Sequence, residues 1–371
     1  MTTSVIYVGM DVHKDSIAIA TAEEGNNPPQ KLGMIPNDWP KLHKMLKNLT
    51  KHGEELRVCY EAGPTGFGLY RRLRKVGIDC IVIAPSLVPK MAGDRVKTDR
   101  RDAIKLATFL RSGHLTKIHV PTEAVEAIRD LERARNAAKR MEHAARQQLG
   151  KFLLRHDRRC VHKAWTKKYM EWVRTQKFDF LAQQIVLADY VKSVEDLAER
   201  VARLTKDMEE IVEGTELAPL VKALQAFRGI SLISAVTIAA EVGNDLKRFA
   251  TPRQFASFVG LVPSEDTSGQ RRRQGSITRC GNTHLRRIFV ESAWHYRHRP
   301  NVSKALQRRN QGVAEGVRKI AWKTQHRLYK RMFFLYSAGK SKQKTVVALA
   351  RELASFIWSI GQEEILLEGV T

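Results

Sequence analysis

Near the N-terminus, short apolar runs alternate with polar turns. Val5 to Val8 and Ser16 to Thr21 are separated by His13-Lys14-Asp15, the pattern of a β-hairpin. Asn37 or Asp38 then stands where a helix cap belongs, ahead of Leu42, Met45, Leu46 and Leu49 on one helical side. Arg57 to Tyr60 reads as the next strand, Gly66 to Val76 as a helix and Cys80 to Ala84 as a buried strand. A helix bearing Ile104, Leu106, Phe109 and Leu110 follows Asp99. A hairpin succeeded by strands that alternate with helices predicts a mixed α/β sheet flanked by helices over residues 1–120.

From Pro121 onward the strand signals stop. Thr122 begins a long charged helix through Val125, Ile128, Leu131 and Met141. Between residues 151 and 180, Arg155, Arg158, Lys167 and Lys168 mingle with Trp165, Tyr169 and Trp172. Aromatics among cations suit stacking on unpaired bases, and tryptophans filling a helix interface are the alternative. Leu187, Tyr190, Val194, Leu197, Val201, Leu204, Met208 and Ile211 then recur at alternating intervals of three and four. This heptad seam predicts a coiled coil that joins subunits, and it equally suits packing on the Thr122 helix within one chain. Gly214 and Pro219 end it. Residues 121–215 therefore read as a helical, coiled-coil region, and 216–371 as a mostly helical C-terminal domain. There, Phe227-Arg228-Gly229-Ile230-Ser231, followed by Ala235, Val236, Ala239 and Ala240, reads as helix, tight turn, helix. A helix-hairpin-helix of this kind offers backbone N–H groups to phosphate; a packing glycine is the plain alternative. The fold class is thus α/β plus α.

Charge changes the picture. Lys and Arg number 64 against 39 Asp and Glu, a formal net charge of +25 over 371 residues. That excess is the footprint of a polyanion binder, with nucleic acid the default partner. A hydrophobic content of 43% is ample for packed cores and excludes a disordered basic tail. The longest apolar stretches fall short of a bilayer span, and the first residues carry no signal-peptide pattern, so a cytoplasmic location is expected. Four cysteines form no CxxC pair, which argues against a zinc knuckle or a disulfide framework.

Against this basic background four acids stand out: Asp11 in MDVHKD, Glu61 in CYEAGPTG, and Asp99 with Asp102 in VKTDRRDA. Asp11 and Glu61 end apolar runs, and sites in open α/β sheets form at the carboxyl ends of strands. Asp99 and Asp102 are three apart and share a face at a helix start. Carboxylates converging in this way suit Mg2+, with Mn2+ as a substitute, and two such ions clamp the attacking and leaving oxygens of a phosphodiester. A salt-bridge network with Arg95, Lys97, Arg100, Arg101 and Lys105 is the competing explanation.

A second candidate lies late in the chain, where Ser268 occupies a polar, Gly-containing loop after Phe258-Val259-Gly260-Leu261-Val262. Arg271, Arg272, Arg273, Arg279, Arg286 and Arg287 follow closely. Attack by a hydroxyl on a phosphodiester needs cations against the developing charge. A serine that merely caps a helix or bonds its own backbone is the plain alternative, and Ser276 is the local rival. With Lys97, Arg100 and Arg101, these arginines are the nucleic-acid-binding candidates.

MDVHKD, YEAGPTG, KTDRRDA and the late GLVP followed by Thr267-Ser268-Gly269 together resemble the IS110/IS1111 transposases, the DEDD recombinases of insertion sequences. The likeness covers nearly the whole chain in the family's order. It implies a RuvC/RNase H-like domain, a coiled-coil insert and a C-terminal transposase domain. Residue by residue, it implies that Asp11, Glu61, Asp99 and Asp102 bind metal and that Ser268 is the catalytic serine. It further implies a structured non-coding guide, or bridge, RNA that pairs with double-stranded donor and target DNA, and homodimers that pair into homotetramers. Two other classes compete: a RuvC-like junction nuclease without serine chemistry, and a structural nucleic-acid binder in which no acid matters.

Overall fold

The computed structural model describes residues 4–89, 98–268 and 271–362. Lys97 lies outside the described residues, as does the side chain of Arg272. The chain divides into two compact units, Met1–Val120 and Pro121–Thr371.

In the first unit the order is β1 (Val5–Val12), β2 (Ser16–Glu23), β3 (Gln30–Pro36), α1 (Trp39–Asn48), β4 (Glu55–Glu61), α2 (Gly68–Lys75), β5 (Asp79–Ile83) and α3 (Asp99–Arg111). The strands form one sheet in the order β3-β2-β1-β4-β5. β1, β2 and β3 pair antiparallel, whereas β4 and β5 join parallel to β1. This is the predicted mixed sheet, with β3 as an addition. β3 escapes the apolar pattern because its residues are exposed or only half-buried.

Because side chains alternate across a strand, β1 serves two layers. Val8 and Met10 are fully buried with Leu42 and Leu46 of α1 and Leu73 of α2. On the opposite face lie Gly9 and Asp11, level with Ala20 and Ala18 of β2. Ala18, Ala20 and Ala22 pack there on Ala103 and Ala107 of α3. A Cβ at Gly9 would clash with the Ala103 carbonyl and the Ala107 amide and lie 2.9 Å from Leu106 Cβ. The helix backbone therefore rests directly on the strand. Cys59 of β4 adds a hydrogen bond to this layer, its thiol donating to the Leu106 carbonyl at 3.6 Å.

The second unit is mostly helical. Its long helices are α4 (Glu123–Arg155) and α6 (Leu181–Glu213), with α5 (Lys167–Thr175) between them. Thr122 caps α4 as expected, its hydroxyl accepting from the Val125 amide at 3.2 Å. α4 and α6 lie antiparallel along lengths of about 50 Å each: the Phe152 and Tyr190 rings meet near one end, and Arg135 donates to the Thr205 hydroxyl at 3.2 Å further along. Within the seam, Leu187, Val194, Val201 and Met208 are buried, Tyr190, Leu197 and Leu204 half-buried, and Ile211 exposed. Much of the seam thus has its partner in the same chain. Trp165 and Trp172 pack against Phe152, Tyr169 and Val173, the interface role that competes with base stacking.

Next come α7 (Ala218–Leu224), α8 (Leu232–Val242), α9 (Pro252–Val259), β6 (Pro263–Ser268), β7 (Arg271–Ile277), α10 (Thr283–Ala293), α11 (Lys304–Asn310), α12 (Glu315–Ser337) and α13 (Lys342–Ile360). Gly229, with φ +82°, lies in the connection between α7 and α8. A Cβ there would lie 2.7 Å from the Ser292 carbonyl, so packing on α10 requires this glycine. The hairpin of β6 and β7 corrects the expectation that strand signals end at Pro121. It has no apolar periodicity to announce it: the described side chains of PSEDTS beyond Pro263 are all exposed. Ser268 accordingly ends a strand, where the sequence suggested a loop.

The contact at Gly9 can be tested. Gly9→Ala is expected to destabilise the first unit by about 1–3 kcal/mol, the scale of overpacking, read as a lower urea midpoint. Gly68→Ala, where nothing lies within 4 Å of the added methyl, is expected to be neutral or stabilising by up to ~1 kcal/mol. Equal midpoints for the two variants would contradict the close packing of α3 on β1.

Candidate active site

The acids of the first unit are placed by its two layers. Asp11 is the penultimate residue of β1 and Glu61 the last of β4. The parallel register pairs Gly9 with Cys59 and Met10 with Tyr60, so Asp11 and Glu61 stand next in line on adjacent strand ends, on the face that α3 covers. Strand spacing puts such neighbours about 4.8 Å apart at the backbone.

Asp99 and Asp102 arrive from the N-terminus of α3. The hydroxyl of Thr98 caps this helix by accepting from the Arg101 amide at 3.4 Å. Both acids lie in the first turn, where the partial positive charge of the helix end favours carboxylates. Asp102 also meets Lys105 at 3.6 Å, so part of the competing salt-bridge network is real. Arg100 and Arg101 are exposed on the same turn.

His13 is the residue whose position the sequence did not reveal. It reads as a turn residue, yet its Nε2 lies 3.3 Å from Asp11 Oδ2 and 3.6 Å from Asp99 Oδ1. Ligand atoms of Asp11, His13 and Asp99 all fall within 4.8 Å of one another. Only the MDVHKD spacing, with His13 two residues after a strand-end acid, hinted at it. Burial raises the pKa of Asp11 above its ordinary 3.8, His13 opposes that shift, and the charges of Asp99 and Asp102 add to it. A half-buried carboxylate crowded by two others and faced by an imidazole is a donor set that fits a divalent cation.

In the second unit, Ser268 pairs with Arg271, and Asp266 with Arg273, across the β6–β7 hairpin. Ser268, Arg271, Arg273 and Arg279 are exposed. Thr267 instead donates to Glu265 at 3.1 Å. Arg286 and Arg287 are engaged within the unit: Arg286 donates to the Val259 and Arg279 carbonyls at 3.4 and 3.2 Å, and Arg287 meets Glu291 at 3.3 Å. Ser276, the rival serine, sits on β7, and its carbonyl accepts from Ser264 at 3.2 Å.

A strand-end acid cluster in a strongly basic chain is the equipment of an enzyme that works on phosphodiesters, and known proteins narrow the class. A family model described as "Transposase IS116/IS110/IS902 family" matches residues 221–307. A DEDD model of the IS110 group, described as "Transposase", matches residues 8–156. A protein of Sinorhizobium fredii named as transposase y4qE is 44% identical over 96% of this chain and 88% of its own length. The transposase for insertion sequence element IS1533 of Leptospira borgpetersenii is 33% identical over 88% of this chain and 95% of its own. The chain belongs to the IS110/IS116/IS902 family of insertion-sequence transposases. It is accordingly a DNA transposase, and its five-stranded mixed sheet is consistent with a DEDD nuclease-like fold that uses divalent metal. Among the described residues no helix is long and apolar enough to cross a membrane.

The raised pKa of Asp11 predicts a pH signature. At pH 7 the folded state holds an ionised Asp11 against its surroundings, a cost that is absent below the ordinary carboxylate value, where folded and unfolded chains are both protonated. In metal-free protein Asp11→Asn should therefore raise Tm at pH 7. The gain should shrink as pH falls through the raised pKa and vanish near pH 3.5, just below the ordinary value of 3.8. Melting curves from pH 3.5 to 8 check this; a variant less stable than the parent at pH 7 would contradict it.

Proposed function

We propose that this transposase cuts and rejoins DNA with Ser268 as nucleophile, aided by Mg2+, or Mn2+ in its place, at Asp11, Glu61, Asp99 and Asp102. The observation that carries the reading is the approach of Asp11 and Asp99 to a common point beside His13, with ligand atoms within 4.8 Å. Bound there, a divalent ion would supply charge against the oxygens of a phosphodiester.

The protein's own part is nucleophile and cations. Ser268 Oγ attacks a DNA phosphorus, one P–O bond of the backbone breaks, and a free DNA hydroxyl leaves. The phosphoserine link conserves the phosphodiester until the hydroxyl of a second strand displaces the serine. Arg271, Arg272, Arg273 and Arg279 stand near Ser268 in the sequence, where cations stabilise the charge of such a transition state. Arg286 and Arg287 would hold DNA or RNA backbone only by exchanging their present partners. Arg100 and Arg101 serve as phosphate contacts at the acid cluster, with Lys97, close before them in the sequence, as a further one.

Specificity in this reading comes from a structured guide RNA that base-pairs with donor and target DNA, while the protein grips shape and backbone. The net charge of +25 suits both polyanions. Homodimers that pair into homotetramers bring together the two DNA partners, with the half-buried side of the α6 seam as one means of holding subunits.

A suicide-substrate assay with protein, co-purified RNA and Mg2+ tests this. Wild type should become covalently attached to DNA. Ser268→Ala and Asp11→Ala should each lose the adduct by at least about a thousandfold, the scale of removing a nucleophile or its electrostatic support. Cleavage without an adduct, unaffected by Ser268→Ala, would contradict the serine mechanism and leave a metal-dependent junction nuclease.

A further inference from the structure

The second unit buries carboxylates of its own. Glu132 of α4 is 0% exposed and Glu241 of α8 only 4%. His284, in the first turn of α10, is half-buried beside them. Ligand atoms of these three residues lie within 4.8 Å of one another. Their partners differ in a telling way. Glu241 is compensated: Arg133 donates to Oε1 at 2.8 and 3.1 Å, Asn282 donates to Oε2 at 2.7 Å, and Arg129 stands 3.9 Å away. Glu132 accepts on Oε1 from Thr237 at 2.8 Å and from Asn136, whereas its Oε2 is buried and has no hydrogen-bond partner. A bare, buried carboxylate oxygen is costly, and burial pushes the pKa of Glu132 up.

We propose that Glu132, Glu241 and His284 bind a divalent transition-metal ion at the root of the hairpin that carries Ser268, separately from the acids of the first unit. Two carboxylates and an imidazole match Zn2+ or Mn2+, whereas Mg2+ prefers oxygen donors and keeps its waters. The hydrogen bonds on Glu241 are compatible with ligation, because a carboxylate has about four lone-pair sites and ligating carboxylates commonly hold partners behind the metal. A cavity of about 440 Å³, lined by Arg133, Asn136, Asn282 and His284, adjoins the cluster and supplies an entry path.

The site joins α4 and α8 to the point where the hairpin returns to the core. Asn282 caps α10, its backbone N–H donates to the Phe258 carbonyl at 2.8 Å, and the backbone N–H of Thr278 donates to the Val262 carbonyl at 2.9 Å. A metal ligand two residues beyond Asn282 would fix the base from which β6 and β7 project. The inference stands independently of whether Ser268 is the nucleophile.

The test uses full-length protein carrying Asp11→Asn and Asp99→Asn, so that the first cluster is silenced. After chelator treatment the protein is loaded with Zn2+, Mn2+ or Mg2+ and desalted, and bound metal and Tm are measured. The expected result is one Zn2+ or Mn2+ retained per chain, with Tm raised by more than about 5 °C at saturation, and little response to Mg2+. Adding Glu132→Gln or His284→Gln should abolish both retention and Tm rise, with the circular dichroism of the metal-free protein unchanged. Equal retention with and without these substitutions would overturn the proposal. So would absence of any Zn2+ or Mn2+ response in the protein that keeps Glu132 and His284, together with a Glu132→Gln variant that simply melts higher, the behaviour of a protonated buried acid.

Discussion

The first unit depends on one contact: the backbone of α3 lying on Gly9 of β1. Helices that rest on sheets through ordinary side chains stand further off, and here the strand has no side chain and the helix offers Ala103 and Ala107. The alanines of β2 extend the same flat surface. This close approach has a chemical consequence as well as a packing one. The first turn of α3 carries Asp99 and Asp102, and the residue two beyond Gly9 is Asp11. Small residues in the middle of the interface therefore bring acids together at its end. Burial, with a smaller contribution from the charges of Asp99 and Asp102, raises the pKa of Asp11, a cost that a divalent cation bound there would offset.

What the sequence made legible follows from where the physics is local. β1, β2, β4 and β5 declare themselves because Val8, Ile19, Val58 and Val82 must be buried. The cap at Thr122 is a short-range hydrogen bond and was equally plain. β3 and the β6–β7 hairpin were not legible in that way, since an exposed strand is held by ladder hydrogen bonds that leave little mark on composition. The heptad seam was legible as a seam but not as to its partner: Val194 and Met208 look alike whether they face α4 or another chain.

The candidate site divides similarly. Asp11, Glu61, Asp99 and Asp102 stood out because strand ends and a helix start are sequence features. His13 did not, because its contact with Asp99 crosses from a hairpin turn to a helix far along the chain. Glu132, Glu241 and His284 come from three helices far apart in the sequence, and only the packed structure brings them together away from solvent. The two acid groups share a logic nonetheless. In each, carboxylates in a chain of net charge +25 are set against burial, and each has an imidazole at its edge.

The central proposal is that the packing of α3 on β1, which brings Asp11 and Asp99 together, builds a divalent-cation site that Glu61 and Asp102 complete. Mn2+ titration followed by electron paramagnetic resonance, in full-length protein carrying Glu132→Gln to silence the second cluster, tests it most directly. The account predicts that Asp11→Asn, Glu61→Gln, Asp99→Asn and Asp102→Asn each weaken Mn2+ binding by about tenfold or more, the scale of losing one ligand contact. Unchanged Mn2+ affinity in all four variants would contradict it and leave the acids as helix caps and salt-bridge partners.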